Sequence, residues 1–272
     1  MSKSGNKQFR KKGINFSTKV GTKFFSRTFF TIFVERKLFK GKNCQKRELL
    51  KERIMDKRER YTQLLDACES KPLSSSADDL DRYCELCTLC VDLSVENLQN
   101  MDRSWENTQM ARVVLHYATY LEKFDHLTNY LYSVLKKMVD CVQDHPRLKL
   151  QMLRLLLKVL VSIETQNMHD LSITDDVRNE ISFYRRNIEF ADKGELEQVR
   201  DASFLKSDPI EWTAEWEEVI DQADKIAYGN LKDIPRGMGF CFAFWHERTL
   251  ALEKFGIDWK NPHIMNPKVM FD

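Results

Sequence analysis

Hydrophobic residues recur every three or four positions through most of the sequence after residue 76, which is the period of an amphipathic helix. Ser76 and Asp79 form a capping box before the first of these stretches. Pro146 suits the first turn of a later stretch, whose apolar residues cover most of its circumference, so we expect that helix at the centre of the fold. The absence of glycine between Gly41 and Gly194 also favours helices over turn-rich β architectures.

The joins between these predicted helices are short, so neighbouring helices should be antiparallel. We predict an all-α fold, either a multi-helix bundle or a short stack of antiparallel helical hairpins, with an extended C-terminal tail packed on the body. The organisation that we assign is a basic, disordered segment at 1–54, a helical core at 55–190, a charged linker or short helix at 191–211, and an aromatic-rich helical pair with the tail at 212–272, packed on the core.

The C-terminal block is unusually aromatic, with four of the five tryptophans between Trp212 and Trp259. Asp233 and Pro235 predict the start of a second helix there, and Gly256 predicts its end. After that glycine, apolar residues alternate with prolines. A tail with this much apolar surface should be pinned to the body, where it covers a groove lined by the aromatic helix, unless that groove accepts a partner.

Charge divides the chain into two parts. Its formal net charge is +2 over 272 residues, but residues 1–54 carry 16 basic and three acidic side chains, whereas residues 55–272 carry 27 basic and 38 acidic ones. The basic segment has three interpretations: a nucleic-acid-binding arm, a targeting segment, or translated sequence upstream of a true start at Met55. Its apolar stretch at 24–34 is too short to span a membrane and contains Arg27.

The seven cysteines are an odd number without regular spacing, which is typical of free thiols in a reducing compartment, so we expect a cytoplasmic protein. Cys84, Cys87 and Cys90 have a spacing that can supply thiolates to a metal or an iron–sulfur cluster. Their flanks are helical, however, and cysteine on a helix face behaves as a small hydrophobe. We therefore favour a buried core for these three residues, keep metal binding as the alternative, and expect no cofactor.

Candidate pocket residues lie in the aromatic block: Arg236, Trp245, His246 and Trp259. The sequence offers no second group that would make His246 catalytic, so we assign no catalytic residue. The leading hypothesis is a protein-interaction or scaffold role through the aromatic groove, with another protein or a second copy as partner. The alternatives are a small-molecule-binding protein or enzyme with its pocket near Arg236 and His246, and nucleic-acid binding through the basic arm.

The C-terminal block contains the run PRGMGFCF, then Trp245 with His246, then a GIDW turn and a final MNP. In this pattern it resembles the C-terminal stretches of a family of uncharacterised bacterial proteins. The resemblance covers about 40 residues of the chain. It implies no activity, and it assigns no role to any residue.

Overall fold

The computed structural model describes residues 57–271, and within that range the chain is all α, with no β-strand. The first helix, α1, covers residues 57–69. The helices that follow are α2 (Ala77–Asn100), α3 (Glu106–Leu121), α4 (Thr128–Cys141), α5 (Pro146–Asn167), α6 (Ser172–Asp192), α7 (Ala214–Asn230), α8 (Phe240–Lys254) and α9 (Pro262–Met265). The predicted all-α class is therefore confirmed for this part of the chain.

Packing follows the order of the helices along the chain. α2 packs on α3 and α4 packs on α5, and these two pairs lie side by side with α2 against α4 and α3 against α5. α6 covers a further side of α5, while α7 and α8 pack on each other. The leucine-rich helix α5 thus contacts three other helices, and the prediction that it is central is confirmed.

Local sequence explains where the principal helices start. The Ser76 hydroxyl accepts a hydrogen bond from the backbone N–H of Asp79 and caps α2, and Pro146 occupies the first turn of α5, where its missing N–H is harmless. The main core between α1 and α6 is apolar except for a few polar groups. Among these, the Asn97 amide donates to the Asn107 side chain at 2.8 Å, which satisfies two buried amides at the α2–α3 contact.

Residues 193–213 connect α6 to α7 through two short 3₁₀ turns, at Leu196–Gln198 and Pro209–Trp212. The segment is anchored by the buried Asn187 side chain, which binds both the backbone N–H and the backbone carbonyl of Arg200. Trp212 then packs with Ile188 and Leu150 in a small apolar cluster. The charged connection therefore lies against the helices that it joins.

The start predicted for the second C-terminal helix, at Asp233 and Pro235, is wrong. α8 begins at Phe240, and Gly239 before it adopts the left-handed region with φ of 79°. Gly237 and Gly239 disfavour a helix across this stretch, and the chain instead forms a loop whose carbonyls are bound by the Arg236 guanidinium.

The C-terminal tail is packed on the body, as predicted, but it is not extended throughout. Asn261 caps the four-residue helix α9. The buried Asn266 side chain accepts from the backbone N–H of Lys206 and donates to the carbonyl of the same residue, at 2.9 and 2.8 Å. These paired bonds fix the tail to the α6–α7 connection.

Two glycines provide a matched test of the backbone. We expect Gly256→Ala to lower the free energy of unfolding by about 1 kcal/mol, because φ is 80° at this helix end and L side chains avoid that region. Gly229→Ala, inside α7, should raise it by up to about 1 kcal/mol. A built Cβ meets nothing within 4 Å at either site. Urea unfolding measures both, and changes of the same sign would contradict the assignment.

Candidate functional site

The side chain of Arg248 on α8 lies buried between two carboxylates. Its Nε and one terminal nitrogen donate to the two oxygens of Asp224 on α7, both at 2.6 Å, and it also binds Asp144 at 3.1 Å. The guanidinium carbon lies 4.9 Å from the ring centre of Phe244 and 5.5 Å from that of Trp259. The planar five-donor group of arginine suits such a site, because it can bind two carboxylates and stack on aromatic rings at once.

Asp144 belongs to the short loop between α4 and α5, so this ion pair joins the C-terminal helices to the core. A second bond acts at the same point, since the indole N–H of the fully buried Trp216 donates to the Asp144 carbonyl at 3.0 Å. Next along the chain, His145 binds Asp221 of α7 at 2.9 Å, and Thr108 of α3 donates to the same carboxylate oxygen. The loop is therefore held by α3, α7 and α8 together.

The tail reaches this junction through Trp259. Its indole N–H donates to Glu211 at 2.8 Å, and its ring lies 5.8 Å from that of Trp216. The carboxylate of Asp208 accepts from the backbone N–H of Lys260 beside it. We call the set formed by Asp144, His145, Glu211, Asp221, Asp224, Arg248 and Trp259 the junction network.

Burial raises the pKa of two carboxyl groups in the network. The pKa of Asp224 rises to about 6 although Arg248 opposes the shift, and that of Glu211 rises to about 7 although the Trp259 hydrogen bond opposes it. For His145, burial lowers the pKa but the hydrogen bond to Asp221 and the nearby Asp144 more than offset this, so its pKa lies above the ordinary value. The Nδ1 atom of His145 is buried without a hydrogen-bond partner in the described part of the chain.

The four candidate residues named from the sequence do not converge on one pocket. Arg236 stacks on Phe240 and donates to the carbonyls of Met101 and Leu231, so it ties the α7–α8 loop to the α2–α3 loop. Trp259 is buried in the junction network.

The other two candidates point elsewhere. Trp245 is half-buried, with the Phe271 ring 5.1 Å away, and His246 is exposed. The side chain of His246 therefore does not line an enclosed pocket. Of the surface depressions in the described part of the chain, one is lined mainly by α7 and α8 and another by α3 and the start of α5, and neither of these is lined by any of the four candidates.

The three closely spaced cysteines lie on α2. Cys87 and Cys90 are fully buried and Cys84 is half-buried. Burial raises the pKa of all three thiols, that of Cys90 to about 12, which opposes the thiolate form that metals require. Within residues 57–271, no group of three or more His, Cys, Asp or Glu side chains is placed to hold a metal ion.

An exposed surface is formed where the tail lies against α8. The Phe242 ring contacts Trp245 and His263, each at 5.5 Å between ring centres, and Trp245 contacts Phe271. Ile264 and Met270, the sequence neighbours of His263 and Phe271, are 57% and 95% exposed. We call this the aromatic surface; it comprises Phe242, Trp245, His263, Ile264, Met270 and Phe271. The groove expected along α8 is thus covered in part by the tail itself.

The described residues therefore form a helical protein with a buried junction network and an exposed aromatic surface, and this arrangement does not by itself identify a reaction. No protein-family model, no curated protein and no solved structure matches the chain. The resemblance of the C-terminal block to bacterial proteins therefore stays a prediction. The basic arm at 1–54 lies outside the described residues, and none of the helices at 57–271 is long and apolar enough to cross a bilayer.

The junction network predicts a large stability effect at Arg248. We expect Arg248→Met to lower the free energy of unfolding by about 3–5 kcal/mol, because the buried Asp224 carboxylate would lose its cation. The exposed Arg185 of α6 is the control, and Arg185→Met should change stability by less than about 0.5 kcal/mol. The double variant Asp224→Leu with Arg248→Met should be more stable than Arg248→Met alone in urea unfolding. A double variant of equal or lower stability would refute the pairing.

Glu211 predicts a specific pH dependence. Because its pKa is higher in the folded chain, about 7 against an ordinary 4.5, its protonation favours folding, and that contribution is lost as the pH rises through 7. We expect Glu211→Gln, which keeps the acceptor for Trp259, to reduce the loss of stability between about pH 5 and pH 8 by about 1–3 kcal/mol. Urea unfolding of both chains at both pH values measures this, and parallel pH profiles would count against it.

Proposed function

We propose that this chain is a protein-interaction or scaffold protein that binds another protein through the aromatic surface. The observation that carries the proposal is a set of contacting rings, Phe242, Trp245, His263 and Phe271, two of which are next in sequence to the exposed Ile264 and Met270. Folded monomers seldom expose contiguous apolar patches unless the patch has a partner. Aromatic residues and methionine are also the types enriched in protein interfaces.

The supports of the surface favour the same interpretation. Trp245 and Phe242 are three residues apart on α8, so they share a helix face. α8 is held by the buried ion pair of Arg248 with Asp224, and the tail is held by Trp259 and Asn266. A surface fixed in this way loses little conformational entropy when it binds, which favours affinity.

The partner's contact surface should itself be apolar, because the centre of the aromatic surface offers rings and methyl groups and few hydrogen-bonding groups. A partner protein with an exposed apolar segment satisfies this requirement, and a second copy of the chain is the competing occupant. We also place the protein in a reducing compartment such as the cytoplasm. Among the described residues, the thiols of Cys68, Cys84, Cys87, Cys90 and Cys141 are not joined in disulfides, which supports that placement.

Phe242 allows a direct test in living cells. A photo-crosslinking amino acid is introduced at Phe242 and, as the control, at Val161 of α5, which is exposed to the same extent, 39% against 40%. We expect one defined protein to be trapped at position 242 and not at 161. That protein is then purified, and its affinity for Phe242→Ser should be at least about tenfold weaker than for the original chain.

The matched variant Val161→Ser should change that affinity by less than about twofold, because loss of an isolated exposed methyl group leaves the interface intact. Sedimentation of the purified chain tests whether a second copy of the chain is the partner instead. In that case the chain forms a concentration-dependent dimer, and Phe242→Ser dissociates it. Equal crosslinking at both positions, or equal affinities for both variants, would refute the proposal.

A further inference from the structure

We propose that a second surface, a basic groove over α3, binds an acidic peptide segment of a partner protein. The groove has a volume of about 640 Å³ and runs between Leu73 on one side and the start of α5 on the other. It shares no residue with the aromatic surface, and the proposal does not depend on the function assigned to that surface.

Basic side chains follow the exposed faces of two neighbouring helices. On α3, Arg112, His116 and Thr119 line the groove at intervals of three or four residues, and Lys123, just after the helix, continues the row. On α5, Arg147 and Gln151 line it, and the exposed Arg154 and Lys158 continue the same helix face. These intervals place each row along one face, so the two rows can bind one extended ligand together.

The two helices run side by side in the same direction. Arg112 and Arg147 mark one end of the two rows, and both lie near Glu217 of α7. At the other end the Lys158 ammonium binds Glu122, the residue after α3, at 2.6 Å. Arg112 and Lys123 are eleven positions apart, so the row on α3 is about 16 Å long, which is about three helical turns.

Apolar residues form part of the lining between the charges. Leu73 is 39% exposed, and Leu115, Tyr120 and Leu148 also line the groove. A ligand that used only charge would gain nothing from these residues. A peptide that carries acids on one side and leucine-type side chains on the other would bury its apolar side while its carboxylates meet Arg112 and Lys123.

Charge favours a peptide over a nucleic acid. Residues 55–272 carry 11 more acidic than basic side chains, so a long polyanion that extended beyond the groove would meet repulsion. Arg147 already pairs with Asp192 and lies 3.9 Å from Glu217, so the carboxylates of a ligand would meet mainly Arg112 and Lys123. A short acidic segment matches both the length of the groove and its local charge.

The test uses the full chain and a labelled twelve-residue peptide with leucine at every third or fourth position and glutamate elsewhere. Binding is followed by fluorescence anisotropy. We expect the variant Arg112→Gln with Lys123→Gln to bind the peptide at least tenfold more weakly. The control Lys137→Gln with Arg186→Gln removes the same charge from exposed positions of α4 and α6, and it should bind within twofold of the original chain. The thermal midpoint of each variant confirms that it is folded.

Four outcomes overturn the proposal. One is no binding of the peptide up to about 1 mM. Another is equal weakening by both variants, which would mean general attraction to the chain, including its basic segment. A third is equally tight binding of a glutamate–serine peptide of the same charge, since the apolar lining would then be unused. The fourth is tighter, groove-dependent binding of a twelve-nucleotide single strand, which would make the groove a nucleic-acid site.

Phe242→Ser should leave peptide binding unchanged. The proposal for this groove and the proposal for the aromatic surface are therefore tested independently.

Discussion

The buried guanidinium of Arg248 is the interaction on which the arrangement of the C-terminal half depends. Removing such a group from water is costly, and the cost is offset only when carboxylates occupy its donors. Asp224 and Asp144 meet that requirement from two different elements, a helix and the α4–α5 loop. α8 can therefore pack in only one way that satisfies its own arginine. The position of the tail follows from this, because Trp259 stacks on the same guanidinium.

The ion pair of Arg248 is buried, whereas other side chains of the same helices are exposed. The junction network pairs most of its charged groups with one another and thereby holds α7, α8 and the α4–α5 loop together. α8 and the tail present the aromatic surface to solvent, whereas α3 and α5 present cations on an otherwise acidic body. The two proposed binding surfaces therefore differ in character, because one is aromatic and the other is lined by cations.

Much of the fold could be predicted from the sequence because helix signals are local. Ser76 caps α2 and Pro146 starts α5, and the period of apolar residues predicts which face of each helix is buried. The junction network was harder to find. Asp224 interrupts the apolar face of α7, and that signal was available, but its partners Arg248 and Asp144 are 24 and 80 positions away in the sequence. Nothing local indicates which distant charge will meet it.

The sequence by itself determined that the chain is helical, that α5 is central and that the tail lies on the body, since periodicity, caps and apolar content act through near neighbours. The tertiary structure decided the roles of the four candidate residues. Trp259 is buried and His246 is exposed. Arg236 donates to backbone carbonyls, and Trp245 lies half-exposed beside Phe271. The physical reason is that burying a side chain costs desolvation free energy, and the interactions with its neighbours in the fold decide whether that cost is offset. Those neighbours are set by how helices distant in sequence pack together.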